Sequence, residues 1–141
     1  MCFIKNIKLN ELEKYYITNI LEEDKVVIKI LYKDTINKFF FKKYNYYSPY
    51  EGYKYIKGKL NTSPLGILVN KESDTQNLNI IINEGFHSFR TEEDAYIHKK
   101  TELFNYYKAV LCKCIIPKGS TVIINDNQIV SNQIIFIEEL K

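Results

Sequence analysis

The sequence predicts a single α+β domain, residues 1–141, made mainly of antiparallel sheet with one helix. Many short segments are rich in Ile, Val, Phe and Tyr, which favour strands, and turn-forming residues separate them. One segment has the form of a capped helix start. The chain is 45% hydrophobic and 26% charged, so it is expected to bury a core without help from a metal or disulfides.

The first half of the chain contains several predicted strands and turns. Residues 3–9 form a short strand-like run, and residues 15–32 have the pattern of a hairpin. The polar residues 34–37 predict a turn, and a further strand is expected to begin at Phe39. After a turn that contains Pro and Gly, residues 53–60 alternate like an exposed strand.

The second half is predicted to combine a buried strand, a helix and a group of strands. The apolar run 78–82 is typical of a buried strand. Thr91 precedes three acidic residues in the form of a capping box, which predicts a helix from about Glu92 to Leu103. Further strands are expected at residues 109–116, 121–124, 128–130 and 134–137, of which the middle two form a hairpin.

The three cysteines, Cys2, Cys112 and Cys114, cannot all pair in intramolecular disulfides. Cys112 and Cys114 lie two residues apart and therefore point to one face of a strand, as small core residues do. No second Cys or His pair follows at zinc-site spacing, so neither a metal site nor a cofactor is predicted. No apolar run approaches the roughly 20 residues of a membrane helix, and residues 1–12 lack a signal-peptide core. We expect a cytoplasmic protein with no membrane partner.

A basic aromatic segment spans residues 38–59. It contains six lysines, nine aromatic residues and one acid, so its net charge is +5, whereas the whole chain carries +3. Lysines can contact phosphates or acidic groups while aromatic rings stack on bases or anchor an interface. The predicted partner-binding residues are Lys42, Lys43, Tyr44, Tyr46, Tyr47, Lys54 and Lys57. Two alternatives stay open: amphipathic strands with solvated lysines, and a codon bias that enriches Lys, Asn, Ile and Tyr.

His87 and Arg90 are the predicted ligand-binding residues, in a segment expected to be a loop between a Gly turn and the helix. A histidine can exchange protons near neutral pH, and an arginine can bind a phosphate or carboxylate through two hydrogen bonds. No matched nucleophile accompanies them, so no catalytic residue is predicted. The alternative is that His87 bonds to the loop backbone and Arg90 is solvated.

Three short motifs resemble small uncharacterised proteins of phages and mobile elements. They are Gly85-Phe86-His87-Ser88, Ile116-Pro117-Lys118-Gly119-Ser120 and Ser131-Asn132. The resemblance implies an accessory role with no known reaction. The Pro-Lys-Gly motif is also distantly similar to ADP-ribosyltransferase domains, in which it precedes the catalytic acids. At that place this chain carries Gln128 and Ser131-Asn132 in place of a Glu-x-Glu motif.

Two hypotheses for the function follow from these features. In the first, a non-enzymatic phage or mobile-element protein binds and inhibits a host factor through the basic aromatic surface, as a defence-system protein of the anti-CRISPR kind in the host cytoplasm. Its partner is a host protein or nucleoprotein complex, with nucleic acid and a second copy of the chain left open. In the second, the chain is a small-ligand or nucleotide-binding domain related to a degenerate ADP-ribosyltransferase, with His87 and Arg90 at its site.

Overall fold

The computed structural model describes residues 3–8, 19–38, 41–49, 52–71, 77–82, 84–101, 108–124 and 127–141. Within these ranges the chain forms thirteen strands and one helix, and every strand pair is antiparallel. This agrees with the expected antiparallel sheet with one helix, and the helix is the minor part. No helix in the described part of the chain is long and apolar enough to cross a membrane.

The elements follow one another along the chain in this order. The strands before the helix are β1 (Phe3–Lys8), β2 (Asn19–Ile20), β3 (Lys25–Lys38), β4 (Phe41–Tyr47), β5 (Lys54–Tyr55), β6 (Leu60–Thr62), β7 (Ile67–Lys71), β8 (Asn77–Ile82) and β9 (Phe86–Phe89). Helix α1 (Glu92–Thr101) precedes β10 (Ala109–Ile116), β11 (Thr121–Ile124), β12 (Gln128–Ser131) and β13 (Gln133–Glu139). Strands β1, β8 and β7 form a small sheet. The main sheet has the order β2-β11-β12-β9-β3-β10-β13-β6, and β4 and β5 continue from β3 beside it.

Strand β3 is the centre of the main sheet. Its first half pairs with β10, and Tyr32 lies opposite both Ala109 of β10 and Tyr47 of β4. The two partners therefore lie on opposite edges of β3. Strand β9 pairs at Ile28, on the same edge as β4. Alternate β3 residues are buried on both faces of the sheet, which explains the nearly continuous apolar run at this point in the sequence.

The main sheet has two apolar faces, which we call the inner face and the helix face. The inner face carries Val27 and Leu31 of β3, and with them pack Tyr55, Phe86, Cys112, Cys114, Ile116, Val122, Ile129, Ile134 and Phe136. The helix face carries Ile28 and Ile30, which pack with Phe89, Ala109 and Ala95 of α1. The confirmed position of Cys112 and Cys114 in the core follows from the pleat, since both point to the inner face.

Helix α1 starts where its capping residue predicts. The backbone N–H of Asp94 donates to Thr91 Oγ1 at 3.1 Å, which satisfies one of the free N–H groups of the first turn. The buried contact of the helix is Ala95, whereas Tyr96 is 45% exposed. A short side chain lets the helix approach the sheet closely. The expected end of the helix at Leu103 lies outside the described residues.

Three element predictions are wrong. The hairpin predicted at residues 15–32, of which 15–18 lie outside the described ranges, is not formed by residues 19–32, because β2 pairs with β11 and not with β3. The turn predicted at residues 34–37 is absent, since β3 continues to Lys38 with β4 as its partner. Residues 53–60 do not form one strand: β5 covers Lys54–Tyr55, Gly58 adopts φ +79° in a turn, and Leu60 already belongs to β6. The strand expected from Phe39 begins at Phe41, and residues 39–40 lie outside the described ranges.

Candidate functional site

The outer half of the β3–β4 hairpin is a two-stranded arm, which we define as residues 34–38 and 41–45. Five residue pairs hold it together, from Asp34 opposite Asn45 to Lys38 opposite Phe41. The pairing of β10 with β3 ends at Tyr32, and no third strand of the described chain pairs with the arm. Cross-strand pairs such as Thr35 with Tyr44 suit a ribbon, because a β-branched residue packs well against an aromatic ring.

The arm exposes basic and apolar side chains together. Lys42 and Lys43 are exposed, Phe41 is 64% exposed and Tyr44 is 44% exposed. Five of the nine exposed large hydrophobic residues in the described chain fall between positions 41 and 60. The other three are Tyr53, Ile56 and Leu60. A cluster of exposed apolar residues among lysines is typical of an interaction surface.

The predicted partner-binding residues divide between the two faces of the arm and its base. Residues that alternate along a strand share a face, so Lys42, Tyr44 and Tyr46 lie on the side of Lys33, which continues the inner face. Lys43 and Tyr47 lie on the opposite side. Lys54 of β5 lies on the same side as Tyr47, with which it pairs. Lys57 is exposed in the turn between β5 and β6.

The base of the arm is tied to strand β13 through Glu139. Glu139 Oε2 accepts hydrogen bonds from Lys33 Nζ at 2.7 Å and from Tyr46 Oη at 2.9 Å. The Tyr46 ring also lies 4.9 Å from that of Phe136. Burial and the hydrogen bond to the carboxylate raise the pKa of Tyr46 above its usual value, so its hydroxyl stays protonated and keeps donating. Tyr46 therefore acts as an anchor within the fold as well as a candidate contact.

The segment of His87 is a strand and not the loop that the sequence predicts. Strand β9 pairs with β12, where Val130 lies opposite His87. Gly85 immediately precedes the strand with φ +103°, and an added Cβ there would lie 2.7 Å from Leu65 Cδ2. Burial, and then the positive charge of Lys29, lower the pKa of His87 to about 4. The expected proton exchange near neutral pH is thus wrong, because it assumed a solvated imidazole.

Arg90 follows β9 and is exposed, and its backbone N–H donates to the carbonyl of Asn127 at 3.1 Å. The imidazole of His87 has a different environment. Its Nδ1 is buried and has no hydrogen-bond partner among the described groups. The side chains of this predicted ligand pair therefore differ in exposure: the arginine is available to solvent and the histidine is largely enclosed.

Sequence reasoning missed a buried polar row on the inner face. Lys29, only 7% exposed, donates through Nζ to the carbonyl of His87 and lies opposite Cys112. Glu139 lies opposite Cys112 on the far side. Continuing the register of Ile28 with Phe89 by one residue places Ser88 beside Lys29, so the row crosses four strands. One signal in the sequence could have revealed this burial. Lys29 lies two residues from both Val27 and Leu31, so all three side chains point to one face of the strand.

The thiols of this inner face are poorly suited to chemistry. Burial raises the pKa of both Cys112 and Cys114 well above the usual thiol range, so both stay protonated at neutral pH. Across the described ranges, no group of three or more His, Cys, Asp or Glu residues is placed to hold a metal ion. Comparison with protein-family models, curated proteins and solved structures found no match for this chain.

Proposed function

We propose that this chain is a non-enzymatic binding protein that holds an acidic partner through the arm. The observation that carries the proposal is the exposure of Lys42, Lys43, Phe41 and Tyr44 on a ribbon with which no third described strand pairs. The resemblance to phage and mobile-element proteins gives the proposal its specific form: the chain binds and inhibits a host factor, as a protein or nucleoprotein complex.

The fold does not need these lysines, which supports a role in binding. Exposed lysines contribute little to stability, because water already solvates their charge well. Gathered on a projecting arm, they create a positive field that attracts an acidic partner before contact. The exposed rings of Phe41 and Tyr44 would then lose water in the complex and add affinity that salt does not screen.

The state of the buried polar groups favours binding over catalysis. The imidazole of His87 is neutral and the thiols of Cys112 and Cys114 are protonated at neutral pH. A nucleophile needs an activated form and access to substrate, and these thiols are fully buried. The polar row therefore serves the interior of the fold, and the exposed arm serves the partner.

A charge-matched pair of variants tests the proposal. In the first, Lys42, Lys43, Lys54 and Lys57 are changed together to Ser; in the control, Lys100, Lys113, Lys118 and Lys141 are changed to Ser. Binding to labelled polyglutamate and to a short labelled DNA duplex is measured by fluorescence anisotropy in low and moderate salt. We expect the first variant to lose binding to at least one probe and the control to retain it. Equal binding by both variants and the wild type would remove the arm as the site.

One observation favours the second candidate function, a small-ligand site at His87 and Arg90. The buried Nδ1 of His87 has no hydrogen-bond partner among the described groups, and a ligand N–H or O–H group could supply one. Titration with NAD and with ADP-ribose, followed by thermal unfolding, tests it. A ligand that binds the folded state raises Tm, and His87→Ala and Arg90→Ala should each abolish that rise. An unchanged Tm with both compounds would exclude this site for them.

A further inference from the structure

We propose that the partner of the arm is double-helical nucleic acid, and that the arm enters a groove with Lys42 and Lys43 directed at phosphates on opposite walls. This inference rests on the proposed function, since it names the partner of the same surface. It goes beyond that function by assigning a separate role to each face of the ribbon.

The arm carries positive charge on both of its faces. Lys42 and Lys43 are consecutive residues of a strand, so their side chains point to opposite faces, and both are exposed. An acidic protein surface would contact one face and leave the lysine of the other face in water. The phosphates of a duplex line both walls of a groove and can meet both lysines at once. Charge on both faces therefore fits a groove better than a flat surface.

The dimensions of the arm agree with this placement. Sheets stack about 10 Å apart face to face, so a ribbon with side chains on both faces is about that thick, and the major groove of DNA, about 12 Å wide, admits it. The arm has five residues on each strand. At a rise of roughly 3.4 Å per residue it projects about 17 Å, which exceeds the groove depth of about 8.5 Å. The ribbon can thus reach the base edges while its base stays on the sheet.

The acidic residue of the arm is placed where it interferes least. Asp34 lies at the base, in the residue pair farthest from the tip, and its Oδ1 is 3.4 Å from Lys108 Nζ. This pairing offsets a charge that would repel phosphates. The tip instead carries Phe41, which is 64% exposed and lies opposite Lys38. An apolar side chain there can contact base edges, such as the thymine methyl group, without opposing the phosphates.

Single-face variants make the test specific. Lys42→Ser removes the charge of one face and Lys43→Ser that of the other, with Lys118→Ser as an exposed control away from the arm. Affinity for a short labelled DNA duplex is measured by anisotropy between about 50 and 200 mM salt. Each single arm variant should bind the duplex about fivefold more weakly than the wild type. The magnitude of the slope of log K against log salt should fall by about 0.9 in each single variant and by about 1.8 in the Lys42→Ser/Lys43→Ser double variant. The control should match the wild type.

Other outcomes separate this inference from the function on which it rests. If only one of the two single variants loses affinity and polyglutamate binds as tightly as the duplex, the partner is an acidic protein surface. Groove binding is then excluded, whereas binding through the arm is retained. If single-stranded DNA of the same length binds more tightly than the duplex, stacking on exposed rings replaces groove entry, and the inference is also wrong. If neither DNA nor polyglutamate shows any dependence on the arm lysines, both proposals fail.

Discussion

The two halves of strand β3 differ although they belong to one continuous strand. Residues 25–32 pair with β10 on one edge, and within them residues 27–31 are buried on both faces, with Leu31 in the core of the inner face. Residues 34–38 pair with β4 in the arm, and Thr35 among them is exposed. One strand can thus stabilise the core with its first half and form part of the proposed binding arm with its second, so substitutions in the two halves should have separate effects.

The lysines of β3 and β4 show a similar contrast. Lys29 is buried and its Nζ donates to the carbonyl of His87, whereas Lys42 and Lys43 are in solvent. A buried ammonium group must be held by the fold because its desolvation is costly. An exposed one is free of that constraint and can serve a partner. Lysine therefore has a structural role in the buried part of β3, whereas the lysines of the arm are available to a partner.

The largest expected effect is on stability and falls in the first half of β3. Leu31→Ala removes a fully buried side chain from the inner face and should lower the free energy of unfolding by about 2–5 kcal/mol, because the cavity does not collapse fully. Thr35→Ala in the arm should change it by less than about 0.5 kcal/mol, since Thr35 is exposed. Urea unfolding of both variants measures the difference. Similar losses would show that the arm is part of the cooperative core.

A second effect is a dependence of stability on pH. The folded state lowers the pKa of His87 from 6.5 to about 4 and so favours the neutral imidazole. The resulting stability is fully present above pH 6.5 and is lost as the pH falls through about 4. Allowing for partial solvent contact, we expect a loss of about 2 kcal/mol over this window.

The control for the pH effect is His87→Gln, which cannot take up a proton in this range. Urea unfolding at neutral pH and near pH 4 should show a smaller decrease for the variant than for the wild type. Parallel decreases would mean that other groups cause the acid sensitivity. The imidazole of His87 would then have to be solvated in the folded state.

A smaller effect is expected at the link between the arm and β13. Glu139→Gln removes the charge that pairs with Lys33 and weakens the acceptor for Tyr46 Oη. Both groups are partly exposed, so the loss should be about 1 kcal/mol. The pKa of Tyr46 should also fall back toward its usual value, because the carboxylate contributes to raising it. Titration of tyrosine absorbance at high pH measures this change, and an identical titration curve would contradict the link.

The sequence predicted the elements that depend on local signals. Thr91 caps the helix as its capping box requires, and the strand at 109–116 has the predicted bounds, since alternation and the following Pro117 define it. The pairing of β2 with β11 could not be predicted in this way, because it joins residues about 100 positions apart. The turn-like residues 34–37 remain in a strand because β4 supplies their partners, and cross-strand pairing outweighs local turn preference.

The candidate site was predictable in composition and not in geometry. The sequence identified Lys42, Lys43 and Tyr44 as a basic aromatic surface, and the structure exposes all three. It gave no sign that Tyr46 is anchored to Glu139, because their strands meet only in the folded sheet. His87 was misjudged for a related reason: its pKa depends on burial and on Lys29, which is distant in sequence.

The central claim, that the arm provides binding and not stability, is tested most directly with the Lys42→Ser/Lys43→Ser double variant. Its Tm and its affinity for the short DNA duplex are measured side by side with those of the wild type. We expect Tm to change by less than about 3 °C, because both side chains are exposed. Affinity should fall about 25-fold if the two faces contribute independently. Wild-type affinity at an unchanged Tm, or a loss of binding that only accompanies unfolding, would contradict the claim.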